Sequence, residues 1–161
     1  MTKKLLIEAI LNQLRKESQA LELSAPAAHA AATHEESKAE DSHDTRGLEA
    51  SYLAGAQNAR IETLKKNLTY YQFTEFRDFQ PNQSIGPGAL IEINSEAGKP
   101  SYYFLVSQSG GMTVSLDGIK ILVITPQAPL GEALLDRHVG DEIEVETQNA
   151  GTREYEIISV I

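Results

Sequence analysis

Asp41 and Asp44, inside the stretch EESKAEDSHDTRGLE at residues 35–49, are the residues whose type and spacing best suit a chemical task. A spacing of three puts both carboxylates on one side of the chain if the turn between them is helical. Two such groups can share one Mg²⁺, which takes oxygen ligands, keeps several waters and is held by one or two carboxylates plus substrate oxygens. A site of that kind is incomplete on its own and closes only against a second macromolecule. The same aspartates also suit the N-cap of a following helix, where an Asp oxygen accepts from the first free N–H groups, and the two roles are compatible. His29, His34 and His43 lie in or near the same stretch, with Glu35 and Glu36 beside them and His138 far away. Imidazole and carboxylate together suit several divalent ions. Nothing fixes the geometry of these histidines, however, and a plain surface placement accounts for them better.

Other chemistries are excluded or unsupported. The chain has no cysteine, which removes disulfides, thiolate metal sites and cysteine nucleophiles. Its serines form no nucleophile elbow, and no helical zinc-binding histidine pair is present. SIGPGAL and SQSGGM contain glycines but no following lysine and helix, so they read as turns and not phosphate loops. A net charge of -9 argues against direct or sequence-specific DNA binding, which needs clustered Lys and Arg. No run approaches the ~20 apolar residues of a membrane span. The first residues, MTKKLLIEAILNQLRKES, are too charged for a signal peptide, so a cytoplasmic location is the default expectation.

The elements that would position the two aspartates are helical. Ile7, Leu14, Leu21 and Ala28 recur every seven residues, with Leu11, Ser18, Ala25 and Ala32 beside them, which predicts a helix from Lys3 to about Ala32 packed along a partner. Pro26 lacks an N–H and disfavours helix at Ala25, so a kink or short break is expected there. The partner runs from near Asp44 to about Leu68, with Ala50, Ala54, Gln57, Ile61, Leu64 and Leu68 in alternating steps of four and three. Its small residues come first and its large ones last, the reverse of the first helix. Folded back as an antiparallel coiled-coil hairpin, it sets Ile61, Leu64 and Leu68 against Ile7, Ile10 and Leu14, and Ala50 and Ala54 against Ala28 and Ala32. Arms of that length at ~1.5 Å per residue give a finger on the order of 40 Å long, with the acidic stretch at its end. Residues 35–49 carry six acids and two bases. The rest of residues 1–70 is mildly basic.

Past TYYQFTEFRDFQPNQ the apolar period becomes two and turn residues multiply. Strands are predicted at 89–94, 102–107, 119–125, 142–147 and 153–160, with one short helix within PLGEALLDRHV at 129–139. Ile143 and Val145 alternate with Glu142, Glu144 and Glu146, so one face of an antiparallel sheet is buried and the other wet. The fold class is therefore α+β, with a hairpin over residues 1–72 and a sheet domain over 73–161. Residues 71–161 hold 13 acids and 5 bases.

The last third carries Ala128-Pro129-Leu130-Gly131, Ala133-Leu134-Leu135, Val139-Gly140-Asp141-Glu142 and Tyr155-Glu156-Ile157. In this order it closely resembles the C-terminal domain of the bacterial Gre transcript-cleavage factors, the GreA/GreB-like family. The resemblance implies a coiled-coil finger followed by an FKBP-like domain. It also implies that the domain docks on RNA polymerase at the rim of the secondary channel, through Pro129, Leu130, Gly131 and neighbouring strands. The finger then enters the channel, its tip acids help hold a second Mg²⁺ at the polymerase active centre, and backtracked nascent RNA is cut there. By this reading the chain is a monomer, is no enzyme alone, binds no cofactor permanently, and touches RNA only indirectly. The family has an Asp and a Glu three apart shortly before Ala-Glu-Tyr. Here the triplet is Ala50-Ser51-Tyr52, and gapless counting places Thr45 and Leu48 at the two acidic positions. Asp41 and Asp44 lie four residues earlier with the same spacing and take the metal role in this reading. Two other readings stay open: a regulator of the same channel that blocks without cleaving, and an FKBP-like prolyl isomerase or chaperone, for which Tyr102, Tyr103 and Phe104 are the few suitable aromatics.

Overall fold

A computed structural model describes residues 2–33, 46–80, 82–147 and 151–161, the side chains of 25–33, 46, 47, 50 and 147 excepted. Two helices come first, α1 at Lys3–Thr33 and α2 at Arg46–Phe73. Six strands follow: β1 at Leu90–Ser95, β2 at Pro100–Leu105, β3 at Thr113–Leu116, β4 at Ile119–Ile124, β5 at Glu142–Thr147 and β6 at Gly151–Val160, with α3 at Pro129–Leu134 between β4 and β5. The chain clusters into two compact units, residues 11–73 and residues 1–10 with 74–161.

The first unit is the helical hairpin. Leu14 and Ser18 on α1 and Ile61, Leu64 and Tyr71 on α2 are buried, in the three-and-four spacing of a helix seam. Leu11, Leu21, Ala54, Gln57 and Leu68 flank them, half-buried. Among the described residues two ion pairs link the arms, Arg60 with Glu17 at 2.5 Å and Lys65 with Glu22 at 3.7 Å. Each is half-exposed and contributes at most ~1 kcal/mol. Burying one Leu or Ile contributes ~1.5–3 kcal/mol, so the apolar seam and not the ion pairs holds the arms together. The break expected at Pro26 does not occur, since α1 runs continuously through it. Proline removes one backbone donor, and the alanines around it, the strongest helix formers, carry the helix across. At the other end α2 passes the expected Leu68 by five residues, because Tyr71 adds one more buried step to the seam.

In the second unit the strand order is β3-β4-β2-β1-β6-β5. Four of the five pairings are antiparallel, as expected. β2 and β4 are parallel, a departure from the all-antiparallel expectation. The cause is β3, a strand the sequence reading omits: it turns back onto β4 as a hairpin, which leaves β4 running alongside β2 in the same direction. Asp117 and Gly118, both at positive φ, make that two-residue turn, as an Asp-Gly pair does between twisted strands.

One sheet face packs Ile91, Ile93, Leu105, Ile124, Ile143, Val145 and Ile157 beneath Leu134 of α3. The opposite face carries a buried row, Leu90, Phe104 and Val123, with Phe76 lying 5.4 Å from Phe104 between ring centroids. Lys3 belongs to this unit and is only 3% exposed. Its ammonium donates to the Arg77 carbonyl, sits 3.8 Å from Asp78 and lies 5.1 Å above the Phe79 ring. Burial pushes its pKa down, and the neighbouring Asp78 offsets part of that.

Candidate functional site

The turn that opens α3 is built from backbone constraints. Ala128 is extended at φ -76° and ψ 145°, and Pro129 follows at the first helical position, where its fixed φ suits the helix and its missing N–H is no loss. The Ala128 N–H donates to the Thr125 carbonyl at 3.0 Å, and the Glu132 N–H to the Ala128 carbonyl at 2.9 Å. Gly131 is buried, and a Cβ placed there would lie 2.0 Å from the Thr125 oxygen and 2.8 Å from its carbonyl carbon. Only glycine fits. On the other side of Thr125 stands Gly110, whose added Cβ would come within 2.9 Å of Thr125 Cγ2 and 3.2 Å of the Ile124 carbonyl carbon. The SQSGGM segment, read from sequence as a mere turn, therefore supports the α3 turn by close backbone approach.

The far end of α3 is held as firmly. Asp136 adopts φ 63°, its N–H donates to the Ile85 carbonyl at 2.9 Å, and the Ile85 N–H returns a bond to the Arg137 carbonyl at 2.7 Å. The His138 N–H donates to Asp141 Oδ2 at 2.9 Å, and Gly140 at φ 90° turns the chain into β5. Of the three residues expected to face a partner, Pro129 is exposed, Leu130 is half-buried against the core and Gly131 is enclosed. Pro129 can touch a partner, while Gly131 shapes the turn that presents it.

Asp41 and Asp44 lie outside the described residues, as do His34, His43, Glu35 and Glu36. Among the described residues no group of three or more His, Asp or Glu is placed to hold a metal ion. The first turns of α2, next in sequence, are described from Leu48 onward. Leu48 is 56% exposed and Tyr52 71%, four residues apart and so on one side of the helix, with Leu53 exposed beside them. Sequence reasoning passed over this apolar surface, although a signal existed: positions 48 and 52 fall off the Ala50, Ala54, Gln57 seam. Glu49 stands in the first turn of α2, where a carboxylate favours the helix N-terminus.

Residues 80–161, which contain the whole α3 turn, match the family described as transcription elongation factor, GreA/GreB, C-terminal. The chain belongs to the GreA/GreB family. It is 31% identical over 107 residues to the transcription elongation factor GreA of Francisella philomiragia, a match covering 66% of this chain and 62% of that protein. The chain thus spans just under two thirds of the length of that curated relative. Among solved structures it is similar to GreA factor homolog 1 of Thermus thermophilus, at 21% identity over 94% of each chain with a TM-score of 0.40. It is also similar to a GreA/GreB elongation factor of Nitrosomonas europaea, at 24% identity over 74% of this chain and 94% of that one, with a TM-score of 0.39. The GreA/GreB match places the four motifs of the sequence reading within one domain, the one whose backbone constraints are described above. No helix among the described residues is long and apolar enough to cross a membrane.

Proposed function

We propose that this GreA/GreB-family chain is a monomeric elongation factor that binds RNA polymerase at the secondary channel and presents the hairpin end to the polymerase active centre. The observation that carries the reading is the family match over residues 80–161, joined to two helices of 31 and 28 residues that border the acidic stretch in sequence. Pro129 and the α3 turn form the docking side, and Asp41 and Asp44 form the working side. Two carboxylates three residues apart suit Mg²⁺, and a magnesium ion shared with the polymerase would supply an activated water for cutting backtracked RNA. The aspartates' own part is to orient that ion from one side and to leave the remaining positions to the polymerase and the RNA. The chain performs no reaction alone.

The assay is a backtracked elongation complex mixed with the protein, with the RNA 3′ end followed on a gel. Rapid shortening that falls at least tenfold with D41A/D44A supports cleavage. Leu48 favours a second reading, a channel regulator that blocks without cleaving, because an exposed leucine stands at a position where the family resemblance calls for a carboxylate. Under that reading extension slows without shortening, and T45D/L48E converts the protein into a cleavage factor. Failure to bind polymerase at all contradicts both.

A further inference from the structure

α3 covers one side of its sheet face only. Along the row Ile91, Tyr103, Leu122, Thr113 that crosses β1, β2, β4 and β3, burial falls from complete at Ile91, through half at Tyr103, to 38% exposure at Leu122. The next row, Ile93, Ser101, then Lys120 and Ser115 in register, repeats the trend and ends in a lysine. The uncovered side holds a depression of about 410 Å³ lined by Lys99, Ser101, Tyr103, Thr113, Lys120 and Leu122, among others. That volume lies within the ~300–1,000 Å³ range of ligand sites. No acid lines it, and neither lysine is ion-paired with a described residue. In a stretch with 13 acids and 5 bases, two of the five bases border this one hollow. The contrast within the same sheet is sharp: a second depression of about 280 Å³ is lined by Glu96, Glu142, Glu154 and Glu156 and no base.

We propose that the depression over Tyr103 and Leu122 binds a short acidic segment of a partner protein, its carboxylates on Lys99 and Lys120 and one apolar side chain on Leu122. The local charge selects an anion. Two lysines alone give a long polyanion such as RNA little hold, because phosphate binding draws on clustered Lys and Arg. The exposed apolar floor at Leu122 and Tyr103 rewards a peptide carrying Leu or Phe beside its carboxylates, at ~25 cal/mol per Å² covered. This hollow shares no lining residue with the Pro129–Gly131 turn and is separate from that turn.

The test is a titration of the ¹⁵N-labelled full chain with a synthetic 12-residue peptide alternating Glu with Leu and Phe, read by amide shifts. Saturable shifts confined to residues 99–103, 113 and 119–122 support the site. So does a tenfold or greater loss of affinity with the Gln-for-Glu peptide and with K99E/K120E, the fold being checked by circular dichroism. K99Q/K120Q, which adds no new charge, is expected to weaken binding in the same direction. Equal binding of the Gln peptide, tighter binding of polyuridylate RNA, or no shift in these segments overturns the proposal. Concentration-dependent shifts of the same amides without peptide overturn it too, since the occupant is then a second copy of this chain.

Discussion

The α3 turn and the first turns of α2 are built in opposite ways. At the α3 turn, backbone meets backbone: Thr125 is wedged between Gly110 and Gly131, and the family match covers all of it. At the start of α2, Leu48, Ser51, Tyr52 and Leu53 stand in solvent, and Gly55, two residues on, has no atom within 4 Å of an added Cβ. The α3 turn is therefore constrained residue by residue, while the first turns of α2 are free to vary. Under the proposed function, the constrained turn is the seat on the polymerase and the hairpin end is the part that varies.

Substitutions at the two glycines break or sharpen this comparison most strongly. Gly131→Ala forces a Cβ into the Thr125 carbonyl, which nothing flexible can relieve, so urea unfolding should show a loss of about 3 kcal/mol or more. A mild effect would mean the turn is not wedged. In the hairpin the corresponding vulnerability is the seam. Leu64→Ala, at a residue 1% exposed, is expected to lower stability by about 2 kcal/mol in the same measurement.

Lys3→Met removes the bond to the Arg77 carbonyl and the contact with Phe79, for a loss of about 1 kcal/mol at neutral pH. This group also has a pH signature. Its folded pKa lies below the ordinary 10.5, so the unfolded chain holds the proton more tightly. Stability contributed through Lys3 therefore rises as pH climbs from the lowered value towards 10.5. The difference in melting temperature between wild type and Lys3→Met should widen across that window, and a narrowing would contradict the assignment. Gly55→Ala, in the open helix, is expected to stabilise by ~0.5–1 kcal/mol, opposite in sign to Gly131→Ala. Smallest of all, Glu17→Gln breaks a half-exposed ion pair and should shift stability by under ~0.5 kcal/mol, and only at low salt.

Much of this architecture was legible because it rests on periodicity. The three-and-four spacing of Leu14, Ser18, Ile61 and Leu64 marked the seam, and alternation in β5 and β6 marked the sheet. β3 escaped because four residues with one buried side chain, Val114, give no period, although the Asp117-Gly118 pair announced a hairpin. The parallel pairing of β2 with β4 depended on that missing strand. No break forms at Pro26 because a single absent hydrogen bond is a local cost, whereas the helix is extended by many bonds. At the α3 turn the motif residues were found, yet their division of labour was not: spacing cannot reveal that Gly131 is enclosed by Thr125 while Pro129 is free. Gly110 lies 21 positions before Gly131 in sequence, and only the fold brings both to the same threonine. Asp41 and Asp44 lie outside the described residues, and the metal role suggested by their spacing stands as a proposal.

The most direct measurement replaces the Mg²⁺ of the polymerase active centre with Fe²⁺ in a stalled elongation complex bound by this protein, and maps hydroxyl-radical cuts along the chain. Cuts clustered within residues 35–49, with 80–161 intact, are the predicted result. Cuts scattered through 80–161, or none while binding persists, would contradict delivery of the hairpin end to the catalytic ion.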